Sequence, residues 1–466
     1  MSGELAIQAF YAAASSRGLP RLARAEGPYL WDQQGRRYVD AASGPVVTNI
    51  GHGNPHVVEA IARQAANCAF ASRTAFVNEA NEALGERLAG LCGEGFDRAF
   101  FTSGGSEAIE AALKFARQIA WLRGESKRWK VIARNPSYHG STLGALAITG
   151  DEEADAVFGP MMVRMPKIPA PFTYRIPAGH SPESWQAAAA AALEETILRE
   201  GPETCLAFVM EPIGGLATGA LVAADSYYAA VREICSRYGL LLIYDEVMSG
   251  AGRTGRFLSA HHWPQGRPDL VVLAKGLGAG YTPLGAMMAP RSLVDLLAEG
   301  GGFLHGHTYV ANPLTCAAGL AVLDEVERQG LTGKAADLGP SLDRKLRVLL
   351  HDSPILGDVR GKGLLMAIEL VMNKATKQPF PLEVEITRRV SQAAMKNGLI
   401  VYARRTSHGR YGEWVMISPP LNSSEAVLDE ISAALRRTLA DCTDELTREG
   451  WLGGAAGSCG TARHRA

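Results

Sequence analysis

The sequence has few cysteines for its length, and they lie far apart. Seven cysteines occur in 466 residues, and no two of them form a Cys-x-x-Cys pair. This spacing argues against a disulfide framework and against a zinc site. We therefore expect no bound metal ion and a reducing compartment, the cytoplasm.

An excess of charge of one sign is also missing, as are long apolar runs. The 47 lysines and arginines nearly balance the 48 aspartates and glutamates, for a net charge of -1. Nothing suggests a basic surface for nucleic acid. Residues 1–24 lack the continuous apolar core of a signal peptide, and no stretch has the length of a membrane span. We expect a soluble protein that binds neither nucleic acid nor membrane.

Apolar residues make up 47% of the chain, enough for a large core divided between domains. Alternating strand and helix signals predict an α/β fold with a mostly parallel sheet between helices. We place this large domain at residues 60–320. Residues 321–450 are predicted to form a smaller α/β domain that residues 1–59 join, and the tail at 451–466 is predicted to be disordered.

Helical periodicity is present at residues 56–69, 79–91, 185–199, 226–238 and 314–329. The proline-rich residues 158–182 are predicted to form a long irregular loop over the functional site.

One lysine stands where an apolar strand pattern gives way to a glycine-rich loop. Lys275 follows Leu270-Val271-Val272-Leu273-Ala274 and precedes Gly276. Open α/β sheets bind ligands at the carboxyl ends of their strands. By itself the residue favours an ordinary solvated charge, but the same position suits an amine that forms a Schiff base with a carbonyl cofactor.

A second buried strand pattern ends in a carboxylate. Leu241-Leu242-Ile243-Tyr244 leads into Asp245, Glu246 and Val247. Pyridoxal phosphate (PLP) chemistry needs a lysine for the aldehyde and an aspartate that keeps the ring nitrogen protonated. Lys275 and Asp245 together match this requirement.

A phosphate site is predicted where a short strand at residues 99–102 meets a helix. The connecting residues are Ser103, Gly104, Gly105 and Ser106. Small residues that open a helix expose unpaired N–H groups at the positive end of its dipole, which suits a dianion.

In this order the motifs resemble those of the class III, or subgroup II, aminotransferases, which are fold type I PLP enzymes. The resemblance covers roughly residues 29–439. Its other markers are residues 31–40, Gly51-His52, Tyr138-His139-Gly140, Glu211-Pro212, Gly252-Arg253-Thr254-Gly255 and Thr308.

The resemblance implies roles for individual residues. Lys275 would carry PLP and then move a proton at the substrate Cα, for which burial must lower its pKa. Asp245 would stay ionised beside the pyridinium nitrogen. For the rest of the cofactor, the implied contacts are Gly105 and Ser106 at the phosphate, Tyr138 and Val247 on the two ring faces, Glu211 in the pocket wall, and Thr308 at the phosphate of the neighbouring subunit. A shared site makes a homodimer obligatory and leaves a tetramer open.

Three residues near these motifs have a structural alternative. Glu246 could be a second acid, but its side chain should point away from that of Asp245, so a structural hydrogen bond is favoured. His139 is as compatible with satisfying backbone groups as with direct catalysis. We interpret Arg253 as structural rather than as a phosphate ligand.

The substrate positions depart from the glutamate-specific members of the family. Those members carry an arginine for the α-carboxylate and an acidic residue that masks it. Met416 and Leu216 stand at these positions here. Amine:pyruvate and ω-amino acid:pyruvate transaminases also lack this pair, and use an arginine on a mobile loop instead.

Residues 403–413 are predicted to be a loop of that kind. Arg404 is the first candidate to bind the substrate carboxylate, followed by Arg405 and Arg410, with solvated surface arginines as the alternative. Val46 stands where several relatives have a tryptophan, so we expect a wider pocket and a bulkier donor.

The resemblance thus implies an amine or ω-amino acid transaminase (EC 2.6.1 type) that takes a small-molecule amino donor and a keto acid acceptor. Pyruvate is the favoured acceptor, in a ping-pong cycle through pyridoxamine phosphate. A decarboxylating transaminase, an aminomutase or a racemase on the same fold stays open. A silent PLP-binding regulatory subunit is a remote alternative, because Lys275, Asp245 and the phosphate loop are all retained.

Overall fold

The computed structural model describes residues 19–452. Among the helices in that range, none combines the length and apolar character needed to cross a bilayer. The strands are β1 Leu22–Glu26, β2 Tyr29–Asp32, β3 Arg37–Asp40, β4 Arg98–Thr102, β5 Lys130–Asn135, β6 Lys167–Pro169, β7 Cys205–Met210, β8 Leu241–Asp245, β9 Leu270–Leu273, β10 Gly285–Ala289, β11 Leu356–Lys362, β12 Leu365–Leu370, β13 Leu399–Ile400, β14 Tyr402–Thr406 and β15 Gly412–Ile417.

The central sheet has seven strands in the order β4-β10-β9-β8-β7-β5-β6. Strands β6, β5, β7, β8 and β9 pair in parallel, and β10 is antiparallel to both β9 and β4. Strands buried on both faces read as continuous apolar runs, as β7 and β9 do. The predicted α/β class with a mostly parallel sheet is confirmed.

The α-helices are Ser43–Val46, Pro55–Asn67, Glu79–Cys92, Gly105–Leu122, Leu143–Ile148, Glu152–Phe158, Pro182–Glu200, Asp225–Tyr238, Arg291–Glu299, Pro313–Arg328, Leu331–Asp352, Ile386–Lys396 and Glu425–Arg448. The helices predicted from periodicity are all present, with ends displaced by a few residues. The loop predicted at residues 158–182 is not irregular throughout, because Lys167–Pro169 pairs with β5 as the edge strand β6. A strand of three residues is too short to show the period-2 alternation that would predict it.

Helix Gly105–Leu122 covers one face of the central sheet. Its apolar residues recur at helical spacing, with Ile109, Ala112 and Phe115 almost fully buried. They share a hydrophobic cluster with Ile243 of β8 and Val272 of β9. This packing holds the helix N-terminus at the same edge of the sheet as the carboxyl ends of β8 and β9.

Two smaller sheets involve the chain ends. β1, β2, β3 and β13 form one, in which N-terminal β3 pairs in parallel with C-terminal β13. β11, β12, β15 and β14 form the other, which is antiparallel. The domain boundaries drawn from the sequence stay predictions. The predicted disordered tail lies outside the described residues from position 453 onward.

Candidate active site

Three ionisable side chains meet where neighbouring parallel strands end. Glu211 follows β7, Asp245 ends β8 and Lys275 follows β9. Both carboxylates are 5% exposed. Burial lowers the pKa of Lys275 to about 8, although the negative charges of Asp245 and Glu211 act in the opposite direction. The backbone of Lys275 has a φ of 45°, which costs a non-glycine residue about 1 kcal/mol.

Asp245 is held by hydrogen bonds on both carboxylate oxygens. Oδ1 accepts from the Val247 backbone N–H at 3.1 Å, and Oδ2 lies 2.8 Å from Nδ1 of His139. Because an ionised carboxylate can only accept, the Nδ1–H of His139 donates. The sequence was compatible with two roles for His139, hydrogen bonding to backbone groups and direct catalysis. In the structure its ring instead orients Asp245.

Glu211 joins the end of β7 to two loops. Oε1 accepts from the Gly215 N–H at 2.8 Å, and Oε2 accepts from the Tyr138 N–H at 3.4 Å. Burial raises the pKa of this carboxyl. Glu211 therefore positions the backbone of Tyr138 at the cavity wall.

Two residues have the structural contacts that the sequence favoured. Glu246 accepts from the backbone N–H groups of Ser259 and Ala260 at 2.6 and 2.7 Å, and burial raises its pKa to about 7. Arg253 is fully buried and donates to Asn49 Oδ1 at 2.6 Å and to the Pro419 carbonyl. Neither side chain faces the cavity.

The N-terminus of helix Gly105–Leu122 closes one end of the cavity. Ser106 Oγ accepts from the Ser141 N–H at 3.1 Å. A Cβ at Gly140 would lie 2.6 Å from Ser106 Oγ, and one at Gly105 would lie 3.0 Å from Val247. A side chain at Gly140 would clash with Ser106, and one at Gly105 would force Val247 to shift, so glycine favours this close packing. The first N–H groups of a helix have no intrahelical partner and suit an anion.

The cavity that these groups line has a volume of about 270 Å³. It reaches from the helix N-terminus to Lys275, with Asp245, Glu211, Tyr138 and Val247 in its wall. The residues fit PLP, because an anion site, a buried carboxylate and an amine of lowered pKa face one enclosure. The structure thus brings together the residues predicted for the cofactor, with one exception.

The exception is Thr308, which is exposed and does not line this cavity. Its predicted contact is to the cofactor of a second subunit, so its position in one chain leaves that prediction open.

A second cavity of about 240 Å³ adjoins the first. The two share Tyr138, Leu216, Met248 and Lys275. The second cavity is also lined by Pro45, Asp151, Tyr402, Arg404 and Thr406. A molecule in this cavity would lie against the amine of Lys275, which makes it the candidate substrate compartment.

Val46 does not face either cavity. Its side chain is 1% exposed and belongs to the large hydrophobic cluster, while Pro45 and Val47 line the second and first cavities. The expectation that Val46 widens the pocket is therefore wrong. The turn around it has non-helical geometry at Gly44 and Pro45, which a sequence pattern does not specify.

The predicted arginine loop is mostly a β-hairpin, with Tyr402–Thr406 paired to Gly412–Ile417. Arg404 faces the cavity, and its Nη2 lies 2.9 Å from Asp151 Oδ2. Arg405 points away and binds buried Glu413 at 2.6 Å. Arg410 is exposed and pairs with Glu152. The expectation that residues 403–413 form a loop is wrong for most of the segment, and of its three arginines only Arg404 lines the cavity.

Sequence reasoning missed Asp151, Tyr402, Thr406 and Met248. Tyr402, Arg404 and Thr406 alternate along one strand and so share a face, which is a signal that could have found them. Asp151 could not be found in this way, because its place depends on a contact across 253 residues of chain.

Comparisons with known proteins relate nearly the whole chain to aminotransferases. The sequence model of the family described as aminotransferase class-III matches residues 10–439. The uncharacterized aminotransferase YodT of Bacillus subtilis is 38% identical over 93% of this chain and 98% of its own. A diaminobutyrate–2-oxoglutarate transaminase of Halomonas elongata is 35% identical, over 91% of each chain. A putrescine–pyruvate aminotransferase of Pseudomonas aeruginosa is 33% identical, over 92% of each chain.

Solved structures are similar over nearly the whole fold. A thermostable (S)-enantioselective ω-transaminase from Thermomicrobium roseum has a TM-score of 0.86 at 37% identity, covering 91% of this chain and 93% of that one. An ω-transaminase from Pseudomonas jessenii in complex with PMP has a TM-score of 0.86 at 30% identity, covering 92% and 94%.

Proposed function

Because this chain belongs to the class III aminotransferases, which use PLP, we propose that it moves an amino group from an amine or ω-amino acid to pyruvate. The observation that carries the proposal is Arg404. It is the arginine among the described residues lining the substrate compartment, and that compartment adjoins Lys275.

The compartment suits one carboxylate and an otherwise apolar substrate. Leu216, Met248, Tyr402 and Pro45 supply apolar wall, and Arg404 supplies a guanidinium that can bind a carboxylate at two points. 2-Oxoglutarate would bring a second carboxylate, for which the described lining has no second arginine. One relative is named for 2-oxoglutarate and another for pyruvate, so the relatives do not decide between the two acceptors. The support for pyruvate comes from the residues that line the compartment.

The two positions of the glutamate-type switch support the same view. Leu216 lines both cavities and places an apolar group where an acid would be needed. Met416 lies on β15, is fully buried, and belongs to the cluster against which Leu216 packs. An arginine at position 416 would have to displace this core.

In the proposed reaction the bound cofactor supplies an aldehyde and an electron sink. Lys275 holds it and then moves a proton to and from the substrate Cα. Its lowered pKa of about 8 makes a much larger fraction of the amine neutral near neutral pH than in an ordinary lysine. Asp245, oriented by His139, places a negative charge toward the ring nitrogen. Gly105 and Ser106 bind the phosphate.

The other residues of the pocket have roles in the same proposal. Tyr138 and Val247 lie on the cavity wall as candidates for the two ring faces, and Glu211 holds the Tyr138 backbone. The amino group would stay on the enzyme between two half reactions, which is a ping-pong cycle. The cytoplasmic location expected from the cysteine pattern also stays a proposal.

We further propose a homodimer in which Thr308 reaches the partner's phosphate. Exposed apolar side chains lie near this segment. Leu304, four residues before Thr308, is 86% exposed, and Phe76, which is 69% exposed, lines a surface cavity together with Phe70. Tyr309 contacts Phe70 edge to face. An apolar surface of this kind is typical of an interface.

The direct test is the visible spectrum of the purified holoenzyme. Amines, ω-amino acids and α-amino acids are added in turn, and pyruvate or 2-oxoglutarate follows. We expect an amine or ω-amino acid to bleach the Schiff-base band, and pyruvate to restore it. If no donor bleaches the band, the transaminase proposal fails. If 2-oxoglutarate alone restores it, the proposed role of Arg404 and Leu216 fails.

A further inference from the structure

We infer that Asp151 is an internal carboxylate that occupies Arg404 when no acidic substrate is bound, so that a substrate carboxylate must compete with it. The inference rests on the proposed function and adds a residue that determines the balance between acidic and uncharged substrates. Neither the sequence motifs nor the named relatives assign a role to Asp151.

The contact lies inside the substrate compartment. Arg404 Nη2 and Asp151 Oδ2 are 2.9 Å apart, and both side chains line the cavity that contains Lys275. The Arg404 side chain is 36% exposed and that of Asp151 is 19% exposed. The guanidinium therefore keeps access to solvent and to an incoming ligand while it is paired.

Asp151 is fixed independently of Arg404. Its Oδ1 accepts from the N–H groups of Glu153 and Ala154 at 3.0 and 3.2 Å, which caps helix Glu152–Phe158. Only the second oxygen, Oδ2, faces Arg404. The carboxylate is thus held in place by its cap and can release Arg404 without unfolding the turn.

The physical consequence differs for the two substrate classes. An amine that carries no carboxylate enters a compartment in which Asp151 already neutralises the guanidinium. The apolar groups of this amine therefore do not have to desolvate a free cation. A keto acid must exchange one carboxylate for another and gains only the difference between the two ion pairs. Asp151 therefore weakens the binding of acids and spares that of amines.

The test uses Asp151→Asn, which removes the charge but keeps a side chain that caps helices equally well. The probe is propionate, which carries a carboxylate and no reacting group. We expect calorimetry on the holoenzyme to show that the variant binds propionate about fivefold more tightly, the range of a partly exposed ion pair. The KM for pyruvate should fall by a similar factor, and the KM for an uncharged monoamine should not fall.

A matched control removes the same charge from the adjacent residue. Glu152→Gln breaks a surface pair with Arg410 and does not touch the compartment. It should leave the affinity for propionate unchanged. In an Arg404→Leu background, Asp151→Asn should have no effect on propionate. Asp151→Ser, a second capping replacement, should reproduce the gain if Asp151→Asn folds poorly.

Two results would overturn the inference. One is an unchanged affinity for propionate in folded Asp151→Asn. The other is an equal gain in propionate affinity in Glu152→Gln, which would show a general effect of removing negative charge. Calorimetry needs no turnover, so the outcomes stay separate. If no donor bleaches the cofactor but propionate still binds Asp151→Asn more tightly, the proposed reaction fails and the competition between carboxylates stands.

Discussion

Two neighbouring groups fix the orientation of the Asp245 carboxylate, one at each oxygen. The Val247 N–H fixes one oxygen through the local turn, and His139 fixes the other across 106 residues of chain. The His139 side chain is fully buried, and within residues 19–452 its Nε2 has no hydrogen-bond partner. The hydrogen bond to Asp245 is therefore the contact through which the ring orients a group of the site.

Replacing His139 by phenylalanine should remove that hydrogen bond and keep the ring volume. A hydrogen bond to a charged group is worth about 1.5–3 kcal/mol, so we expect kcat/KM to fall by about tenfold to a hundredfold. His139→Asn should recover part of the loss, because its amide can still donate. Steady-state kinetics with a cofactor titration measure both. Equal kcat/KM in wild type and His139→Phe would contradict the role.

Lys275 should react with PLP at a lower pH than an ordinary lysine does. Burial lowers the pKa of its amine to about 8, and only the neutral amine attacks the aldehyde. In the apoprotein, the rate of Schiff-base formation should rise with pH through about 8 and level off above it. A rate that keeps rising toward pH 10, near the pKa of about 10.4 of a free lysine, would contradict the burial effect. Lys275→Arg is the control that forms no Schiff base.

Side chains alternate between the two faces of strand β14, so its two arginines lie on opposite faces. Tyr402, Arg404 and Thr406 line the substrate compartment. On the other face, Ala403 packs against the hydrophobic cluster that contains Val415, and Arg405 binds Glu413. Across the hairpin, fully buried Trp414 donates to the Leu216 carbonyl at 2.7 Å. One element thus positions both the charged and the apolar wall of the compartment.

This arrangement predicts that replacing Arg404 impairs catalysis, whereas replacing the adjacent Arg405 lowers stability. Arg404→Leu should lower kcat/KM for pyruvate by about tenfold to a hundredfold, the loss of a charged hydrogen-bonded contact, with unchanged stability. Arg405→Leu should leave Glu413 buried without its cation and lower the free energy of unfolding by about 3 kcal/mol.

Kinetics and denaturant unfolding of both variants separate the two effects. The expected result is a kinetic defect in Arg404→Leu and a stability defect in Arg405→Leu. The assignment of the two faces is wrong if Arg405→Leu changes the KM for pyruvate while its stability is that of the wild type.

At the scale of the whole molecule, the two adjoining cavities are assembled from distant segments. The ends of central strands supply Asp245 to the first cavity and Lys275 to both, and the C-terminal antiparallel sheet supplies Arg404 to the second. Exposed Leu304 lies four residues before Thr308, and exposed Phe76 shares a surface cavity with Phe70, which contacts Tyr309. In the proposed homodimer, a second copy of the chain would bury these side chains and complete the phosphate site.

Placing charges on this surface should therefore separate the subunits. We expect Phe76→Glu combined with Leu304→Glu to sediment as a monomer and to bind PLP more weakly than the dimeric wild type. Leu382→Glu puts a charge on an exposed leucine elsewhere and should change neither property. A wild type that sediments as a monomer with PLP bound would exclude the shared site.

The chemistry of the site could be read from local sequence where a pattern ends abruptly. Asp245 ends an apolar strand, Lys275 follows another, and Gly105 and Ser106 open a helix. Parallel strands place their carboxyl ends at one edge, so these residues had to converge. The class of fold and the cofactor pocket follow from such patterns, which depend on short segments of chain.

Only the tertiary structure decided which side chains meet when the segments are far apart. His139 against Asp245, Asp151 against Arg404, and Val46 turned into the core all depend on contacts between segments whose relative placement no local period encodes. The hairpin shows the reason most clearly. Arg404 and Arg405 are identical in sequence terms, and strand pairing with β15 sends one to the substrate compartment and the other to Glu413.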